Sequence, residues 1–267
     1  MSKSAEARGA LENKDVDLEV GLKLHVRHLK LLEGASTIVF LHDSLGSIAL
    51  WRHFPESLCL ATGCNGLIYD RQGHGKSCGF SEPRTPTYLH KEAAILDQLL
   101  TQEKVERAVL FGHSDGGSIA LIAAALHPQR ILGVISEGAH VFVEEITLAG
   151  IRAAQEQLTT TNLKERVARY HGAKTDAVFS AWIDTWLSAE YRDFNMEALL
   201  PLIKCPVLAI QGVDDEFGTV RQVEAIVSQA GGRAIGKIID HARHSPHKEA
   251  AAVTLQLVAD FVKSITG

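Results

Sequence analysis

Four continuous apolar runs, separated by helical patterns, constrain the fold of this chain more than any other feature. They cover residues 37–41, 67–69, 108–111 and 132–135. Apolar runs without polar alternation are typical of strands buried on both faces of a parallel sheet. Helical patterns occupy about 50–60, 87–102 and 118–126, and strands that alternate with helices form crossover units. The sequence therefore predicts an α/β fold with a mostly parallel sheet.

The pattern extends on both sides of this region. Residues 15–32 alternate like an antiparallel hairpin with its turn near Gly21, and a strand at 206–210, a helix near 220–230, a strand at 235–239 and a final helix at 247–265 follow later. These elements predict a central sheet of about eight strands flanked by helices.

Residues 139–200 interrupt the alternation, because they contain only helical patterns. In residues 177–187 the apolar side chains fall on one helical face. We interpret the segment as an all-helical cap inserted into a core domain of residues 1–138 and 201–267. Phe142, Trp182 and Trp186 are the candidates for lining an apolar pocket beneath it, although packing against the core explains the same stripe equally well.

Composition narrows the class of protein. With 267 residues, 46% of them hydrophobic, the chain can bury a full core without disulfides or metal. A net charge of −5 without a basic block argues against nucleic-acid and membrane-surface partners, so we expect a small-molecule substrate. The four cysteines form no zinc-type spacing, and we expect no metal and no cofactor. The polar N-terminus and the lack of a long apolar run predict a cytoplasmic protein.

A serine lies at the sharpest predicted turn of the chain. Residues 112–116 read G-x-S-x-G, directly after an apolar strand and before a helix. Glycines allow the turn to be tight, and Ser114 would then project at the carboxyl edge of the sheet as a nucleophile. A glycine-rich turn can also match this pattern by accident, so the partners of the serine decide the interpretation.

Acidic residues and histidines follow in the order that such a nucleophile requires. The loop after the strand at 206–210 contains Asp214, Asp215 and Glu216, and the loop after the last strand contains three histidines. A serine hydroxyl needs an imidazole to remove its proton, and the imidazole needs a carboxylate to fix its tautomer. The histidines are His241, His244 and His247, and Glu137 is a further candidate for the acid.

Developing negative charge on a carbonyl oxygen also needs backbone N–H donors. The amide of Asp115, directly after the serine, is the first candidate. The second comes from the loop of residues 42–47, where we favour the amide of Ser44, with its neighbour Leu45 as the alternative.

Five motifs in order resemble the α/β-hydrolase fold superfamily over nearly the whole chain: FLHDSLGSIALW, IYDRQGHGKS, GHSDGG, QGVDDEFG and HARHSPHKEA. The resemblance implies that Asp215 is the acid and His244 the histidine of the triad. Asp43 and Arg243 stand where the family usually has glycine. Asp43 would therefore place a carboxylate near the oxyanion loop, pointing into the pocket, into solvent, or back to cap the loop.

The resemblance implies a serine hydrolase with a helical cap, acting on an ester, thioester, lactone or similar acyl compound. A carbon–carbon bond hydrolase of the ring-cleavage type is the first alternative, although Ser245 and Pro246 follow the histidine where that type has tryptophan. A non-catalytic ligand receptor on the same scaffold is the second.

Overall fold

The sheet of the computed structural model has eight strands within the described residues, 10–19 and 21–267. They are β1 (Ala10–Glu19), β2 (Leu22–Lys30), β3 (Thr37–Leu41), β4 (Asn65–Tyr69), β5 (Ala108–His113), β6 (Ile131–Glu137), β7 (Val207–Gly212) and β8 (Ala234–Ile239). Their spatial order is β1-β2-β4-β3-β5-β6-β7-β8. β1 and β2 form the antiparallel hairpin, β2 pairs antiparallel with β4, and all other pairs are parallel. The predicted fold class is confirmed.

Nine α-helices lie in the described part of the chain. They are α1 (Phe54–Thr62), α2 (Tyr88–Gln102), α3 (Asp115–Leu126), α4 (Glu145–Thr160), α5 (Leu163–His171), α6 (Thr175–Leu187), α7 (Arg221–Gln229), α8 (Pro246–Glu249) and α9 (Ala251–Thr266). Short 3₁₀ helices occupy Ile48–Trp51, Gly172–Lys174 and Glu197–Leu202.

Two predicted helices are divided in the structure. The helix predicted over 50–60 is a 3₁₀ turn followed by α1, because Arg52 between them has a positive φ of 53°. The final helix is split into α8 and α9 at Ala250, whose ψ of 47° is not helical. The helix predicted from 118 begins three residues earlier, at Asp115.

The core has two layers, one on each face of the sheet. Side chains of β3 alternate between them, since successive residues of a strand point to opposite faces. Val39 and Leu41 pack with α2, α3 and the segment between β6 and β7. Ile38 and Phe40 pack with α1 and α9. The strands are therefore covered on both sides, as their continuous apolar runs predict.

The segment between β6 and β7 contains α4, α5 and α6, and its division from the core at residues 139 and 200 remains a prediction. It is not purely helical, because Phe142 and Asn195 form an antiparallel bridge. All four cysteines are free. Residues 1–9, which begin the polar N-terminus that supported the prediction of a cytoplasmic protein, lie outside the described ranges. Within those ranges no helix combines the length and apolarity needed to cross a membrane.

Candidate active site

Ser114 occupies a strained turn between β5 and α3. Its φ of 55° and ψ of −120° lie in a region that residues with a side chain rarely adopt, at a cost of about 1–3 kcal/mol. The turn is this tight because two glycines let backbone segments touch. A Cβ on Gly112 would lie 2.1 Å from the carbonyl oxygen of Gly116, and one on Gly116 would lie 2.0 Å from that of Leu41. This close backbone packing holds the serine in the strained conformation, at the carboxyl edge of the sheet.

Asp215 and His244 form a hydrogen-bonded pair at the same edge. His244 Nδ1 lies 2.9 Å from Asp215 Oδ1 and 3.1 Å from Oδ2. Burial alone would lower the pKa of His244, but the charge of Asp215 and its hydrogen bond raise that pKa above the ordinary value. Burial likewise opposes ionisation of Asp215, yet His244 holds its pKa below the usual range. The competing candidates Asp214 and His241 are exposed.

The other candidate acid, Glu137, belongs to a second pair. Its Oε1 accepts a hydrogen bond of 2.7 Å from the main-chain N–H of His247, and its Oε2 contacts His247 Nδ1. Both side chains are buried, and the His247 ring packs against Trp51 and Phe111. The structure thus pairs the two acids with different histidines and leaves Asp215 as the partner of His244.

His113 links these two pairs to the loop after β3. Its Nε2 lies 2.8 Å from the carbonyl oxygen of His244, and its Nδ1 lies 3.2 Å from Asp43 Oδ2. Ligand-type atoms of His113, Glu137 and His247 lie within 4.8 Å of one another, the spacing of a metal site. The hydrogen bonds just described already occupy both nitrogens of His113 and Nδ1 of His247, so a bound ion would have to displace them.

Three histidines hold successive carbonyl groups of the loop after β3, residues Asp43, Ser44 and Leu45. The Asp43 carbonyl accepts hydrogen bonds from His42 Nδ1 at 2.7 Å and from the Arg71 guanidinium at 2.9 Å. The Ser44 carbonyl lies 3.0 Å from His74 Nε2, and the Leu45 carbonyl 2.9 Å from His171 Nε2. Since each peptide group is planar, fixing a carbonyl also fixes the direction of the following N–H.

The amide groups of this loop differ in their availability. The Leu45 N–H donates a 2.8 Å hydrogen bond to Asp43 Oδ1. The Ser44 N–H makes no hydrogen bond to the residues described. The Asp115 N–H stands in the first turn of α3, where an amide has no partner within its own helix. Of the two predicted loop donors, Ser44 is therefore the free one.

Asp43 bends back onto its own loop. One oxygen accepts the Leu45 amide, and the other faces His113, with Lys248 Nζ at 4.0 Å. Burial would raise the pKa of this carboxyl, but the hydrogen bond to His113 and the charge of Lys248 hold it well below the usual range. The carboxylate is ionised, and its charge is balanced locally.

The side chain of Asp115 joins the start of α3 to the helices above it. Its Oδ1 accepts a 2.9 Å hydrogen bond from the Tyr88 hydroxyl, which in turn accepts one of 2.9 Å from Trp186 Nε1 in α6. Arg71 and Arg84 lie 3.4 and 3.6 Å from Oδ2. All of these side chains are nearly or fully buried. The sequence analysis did not foresee this network, whose members come from distant segments.

A cavity of about 150 Å³ brings most of the predicted residues together. Ser114, Asp115, His244, Ser44 and Asp43 line it, together with Trp182 and Trp186 from α6. The sequence analysis missed His140, Thr147, Ile151 and Phe217, which line it too. Among these four residues, only Phe217 could have been found from the sequence, because it stands two positions after Asp215.

Phe142 is not among the residues that line this cavity. Its ring lies 5.4 Å from the Arg221 guanidinium, and the bridge to Asn195 holds its main chain. The structure thus places it away from the pocket for which it was a candidate.

A mostly parallel sheet with a serine at the sharp turn between a central strand and a helix is typical of the α/β-hydrolase fold. The family comparison agrees with this class. The family model for the alpha/beta hydrolase fold matches residues 36–199, and this chain belongs to that family. A solved hydrolase of 2-hydroxy-6-oxo-6-phenylhexa-2,4-dienoate from Rhodococcus sp. strain RHA1 superposes with a TM-score of 0.79 at 15% identity, covering 94% of this chain and 98% of that one.

Curated relatives are more similar in sequence. Serine hydrolase BPHL of Mus musculus is 25% identical over 246 residues, which cover 90% of this chain and 84% of that protein. The 2-hydroxy-6-oxononadienedioate/2-hydroxy-6-oxononatrienedioate hydrolase 2 of Pseudomonas putida is 29% identical over 225 residues, 74% and 77% of the two chains. The 2-succinyl-6-hydroxy-2,4-cyclohexadiene-1-carboxylate synthase of Salmonella paratyphi C is 29% identical, but its match spans only 45% of this chain and 44% of that relative.

Proposed function

We propose that this protein is a serine hydrolase that cleaves an ester, thioester, lactone or similar small acyl substrate through an acyl-enzyme on Ser114. One observation carries the proposal: the strained Ser114 and the Asp215-paired His244 line the same cavity. The similarity to serine hydrolase BPHL supports it.

Each residue has a distinct role in the proposed reaction. Because His244 Nδ1–H points to Asp215, its Nε2 is free to take the proton from the Ser114 hydroxyl as the oxygen attacks the carbonyl carbon. The amides of Ser44 and Asp115 stabilise the negative oxygen of the tetrahedral intermediate. His244 then returns the proton to the leaving alcohol or thiol. Water repeats the sequence on the acyl-enzyme and releases the acid.

The cavity indicates the size and polarity of the acyl group. Trp182, Trp186, Ile151 and Phe217 form an apolar wall, and dry cavities of about 150 Å³ hold a group as large as benzene. We infer that the substrate is a small molecule with an apolar part, covered by the proposed cap of residues 139–200.

A fluorophosphonate probe tests the nucleophile directly. We expect it to label the native protein and to leave Ser114→Ala unlabelled, while Ser245→Ala, which changes another serine of the same cavity, stays labelled. We also expect native protein to hydrolyse p-nitrophenyl esters of short acyl chains. Equal labelling of native protein and Ser114→Ala, or no labelling of either, would contradict the proposal.

Carbon–carbon bond hydrolysis is the second candidate, favoured by the 29% identity to the Pseudomonas putida hydrolase. A vinylogous diketone of the ring-cleavage type distinguishes the two reactions. Turnover of esters alone supports the first function, and turnover of the diketone with a much higher kcat/KM supports the second. If the protein binds these compounds without turning any of them over, it is a ligand receptor.

A further inference from the structure

A second histidine, His140, lies in the cavity and has no place in the proposed reaction. It follows β6, is only 4% exposed, and its ring centroid lies 5.9 Å from that of His244 and 5.1 Å from that of Trp186. Ser118 fixes its main chain from both sides. The Ser118 hydroxyl donates to the His140 carbonyl at 2.7 Å, and the His140 N–H donates to the hydroxyl oxygen at 3.0 Å.

The hydrogen bonds of the ring determine its tautomer. Nε2 lies 2.9 Å from the carbonyl oxygen of Phe217, and a carbonyl only accepts, so Nε2 carries the hydrogen. Burial lowers the pKa of His140 below its ordinary value, so that the ring is neutral. Nδ1 is therefore a lone-pair acceptor. It is buried and has no hydrogen-bond partner in the described part of the chain.

No donor of the described wall lies within hydrogen-bond distance of this nitrogen. Ile151 is apolar, and Trp186 donates its N–H to the Tyr88 hydroxyl. The Thr147 hydroxyl donates to the same Phe217 carbonyl as His140. A buried acceptor without a partner is costly, and a rigid polar atom in an apolar pocket is a means of selecting ligands.

We propose that His140 Nδ1 accepts a hydrogen bond from a hydroxyl group of the substrate, so that the protein selects hydroxylated esters over their unsubstituted counterparts. The inference deepens the proposed hydrolase function and rests on it for the ester. A hydroxyl fits better than an ammonium group, because stripping water from a charged donor costs far more, and Asp43, the carboxylate that lines the cavity, is already paired with His113 and Lys248. His140 is thus a specificity residue, and it donates no proton in the reaction.

Binding to Ser114→Ala protein tests the proposal without turnover. Isothermal titration compares ethyl butyrate with ethyl 2-hydroxybutyrate, ethyl 3-hydroxybutyrate and 2-hydroxyethyl butyrate, which place the hydroxyl on either side of the ester. We expect at least one hydroxylated ester to bind about tenfold more tightly than ethyl butyrate, the gain from a single hydrogen bond. The same experiment with ethyl 2-aminobutyrate tests a charged donor.

Two variants of His140 on this background show whether the ring nitrogen is responsible. His140→Phe keeps a ring but removes the acceptor, so the preference should disappear. His140→Asn places an amide oxygen near the position of Nδ1 and should retain much of it. If His140→Phe does not fold, His140→Asn still tests the proposal, because loss of the preference for hydroxylated esters in the Asn variant would count against it.

Three results would overturn the inference: equal affinity for all four neutral esters, a preference that persists in His140→Phe, or a larger gain for the ammonium ester than for any hydroxyl. Failure of the fluorophosphonate experiment is a different outcome. It would refute the nucleophile at Ser114 and leave the measured binding preference standing.

Discussion

His171 connects α5, a helix of the proposed cap, to the loop after β3 that carries the proposed oxyanion donor, and its replacement by leucine tests whether that connection matters for catalysis. Its Nε2 donates to the Leu45 carbonyl at 2.9 Å, and its Nδ1 accepts the Gly75 N–H at 2.9 Å. Burial lowers the pKa of His171, which favours the neutral form that makes both bonds. Leucine has a similar volume and makes neither.

The expected losses of stability and of kcat in His171→Leu follow from the hydrogen bonds that are removed and from those that remain. Two hydrogen bonds of about 1 kcal/mol each are lost, so we expect the free energy of unfolding to fall by about 2 kcal/mol. Removal of an oxyanion donor lowers kcat by about 10²–10³-fold. The Ser44 amide is still oriented by the bonds from His42 and Arg71 to the Asp43 carbonyl. We therefore expect a smaller effect, about tenfold in kcat, with KM little changed.

The measurements are kcat and KM for p-nitrophenyl butyrate and urea unfolding of each variant. Arg169→Leu is the matched control, because it lies in the last turn of the same helix but is exposed; both quantities should stay close to native values. His171→Gln returns an N–H near the position of Nε2 and should recover part of the lost kcat. A native kcat in the leucine variant despite its lower stability would refute the argument, as would an equal loss in the control.

Three further predictions concern the charged groups. Asp215→Asn should lower kcat by about 10⁴-fold. In native protein kcat/KM should fall as the pH drops through the raised pKa of His244, and without the carboxylate this acid limb should move to lower pH; a pH–rate profile of both proteins checks this. Glu137→Gln should keep kcat within about tenfold of native while lowering the urea midpoint, since the glutamate pairs elsewhere. Arg71→Met removes the guanidinium that lies 3.6 Å from buried Glu92 and 3.4 Å from buried Asp115, and it should destabilise the fold by about 3–5 kcal/mol, measured by urea unfolding.

The architecture could be predicted from the sequence because it depends on local patterns. Apolar runs and helical segments determine the layers, and in parallel sheets the loops after β5, β7 and β8 must open at one edge. Ser114, Asp215 and His244 follow those strands, so their proximity follows from the topology. Two predicted helices are divided in the structure, at Arg52 and at Ala250, whose backbone angles depend on tertiary packing.

The pairing of acids with histidines could not be predicted in the same way. Glu137 is the last residue of β6, Asp215 follows the end of β7, and His244 and His247 lie three residues apart. Residue type and spacing allow several combinations. The choice is made by packing, because the ring of His247 lies among aromatic side chains while His244 lines the cavity. The partners of Asp115 could not be predicted either, because tertiary packing brings them together; Arg71, for example, is 44 residues away in the chain.

The structure explains how a carboxylate can stand in the loop of the proposed oxyanion hole. An unpaired negative charge at Asp43 would oppose the developing oxyanion. Here one oxygen takes the Leu45 amide, and the other faces His113 with Lys248 nearby, so the charge is balanced before the substrate arrives. By occupying the Leu45 amide, the same side chain leaves Ser44 as the free donor. The main-chain carbonyl of residue 43 accepts hydrogen bonds from His42, Arg71 and a main-chain N–H. Hydrogen bonds to a carbonyl polarise the N–H of the same peptide group, which here is the N–H of Ser44. The Asp43 side chain therefore selects one donor where glycine would leave two.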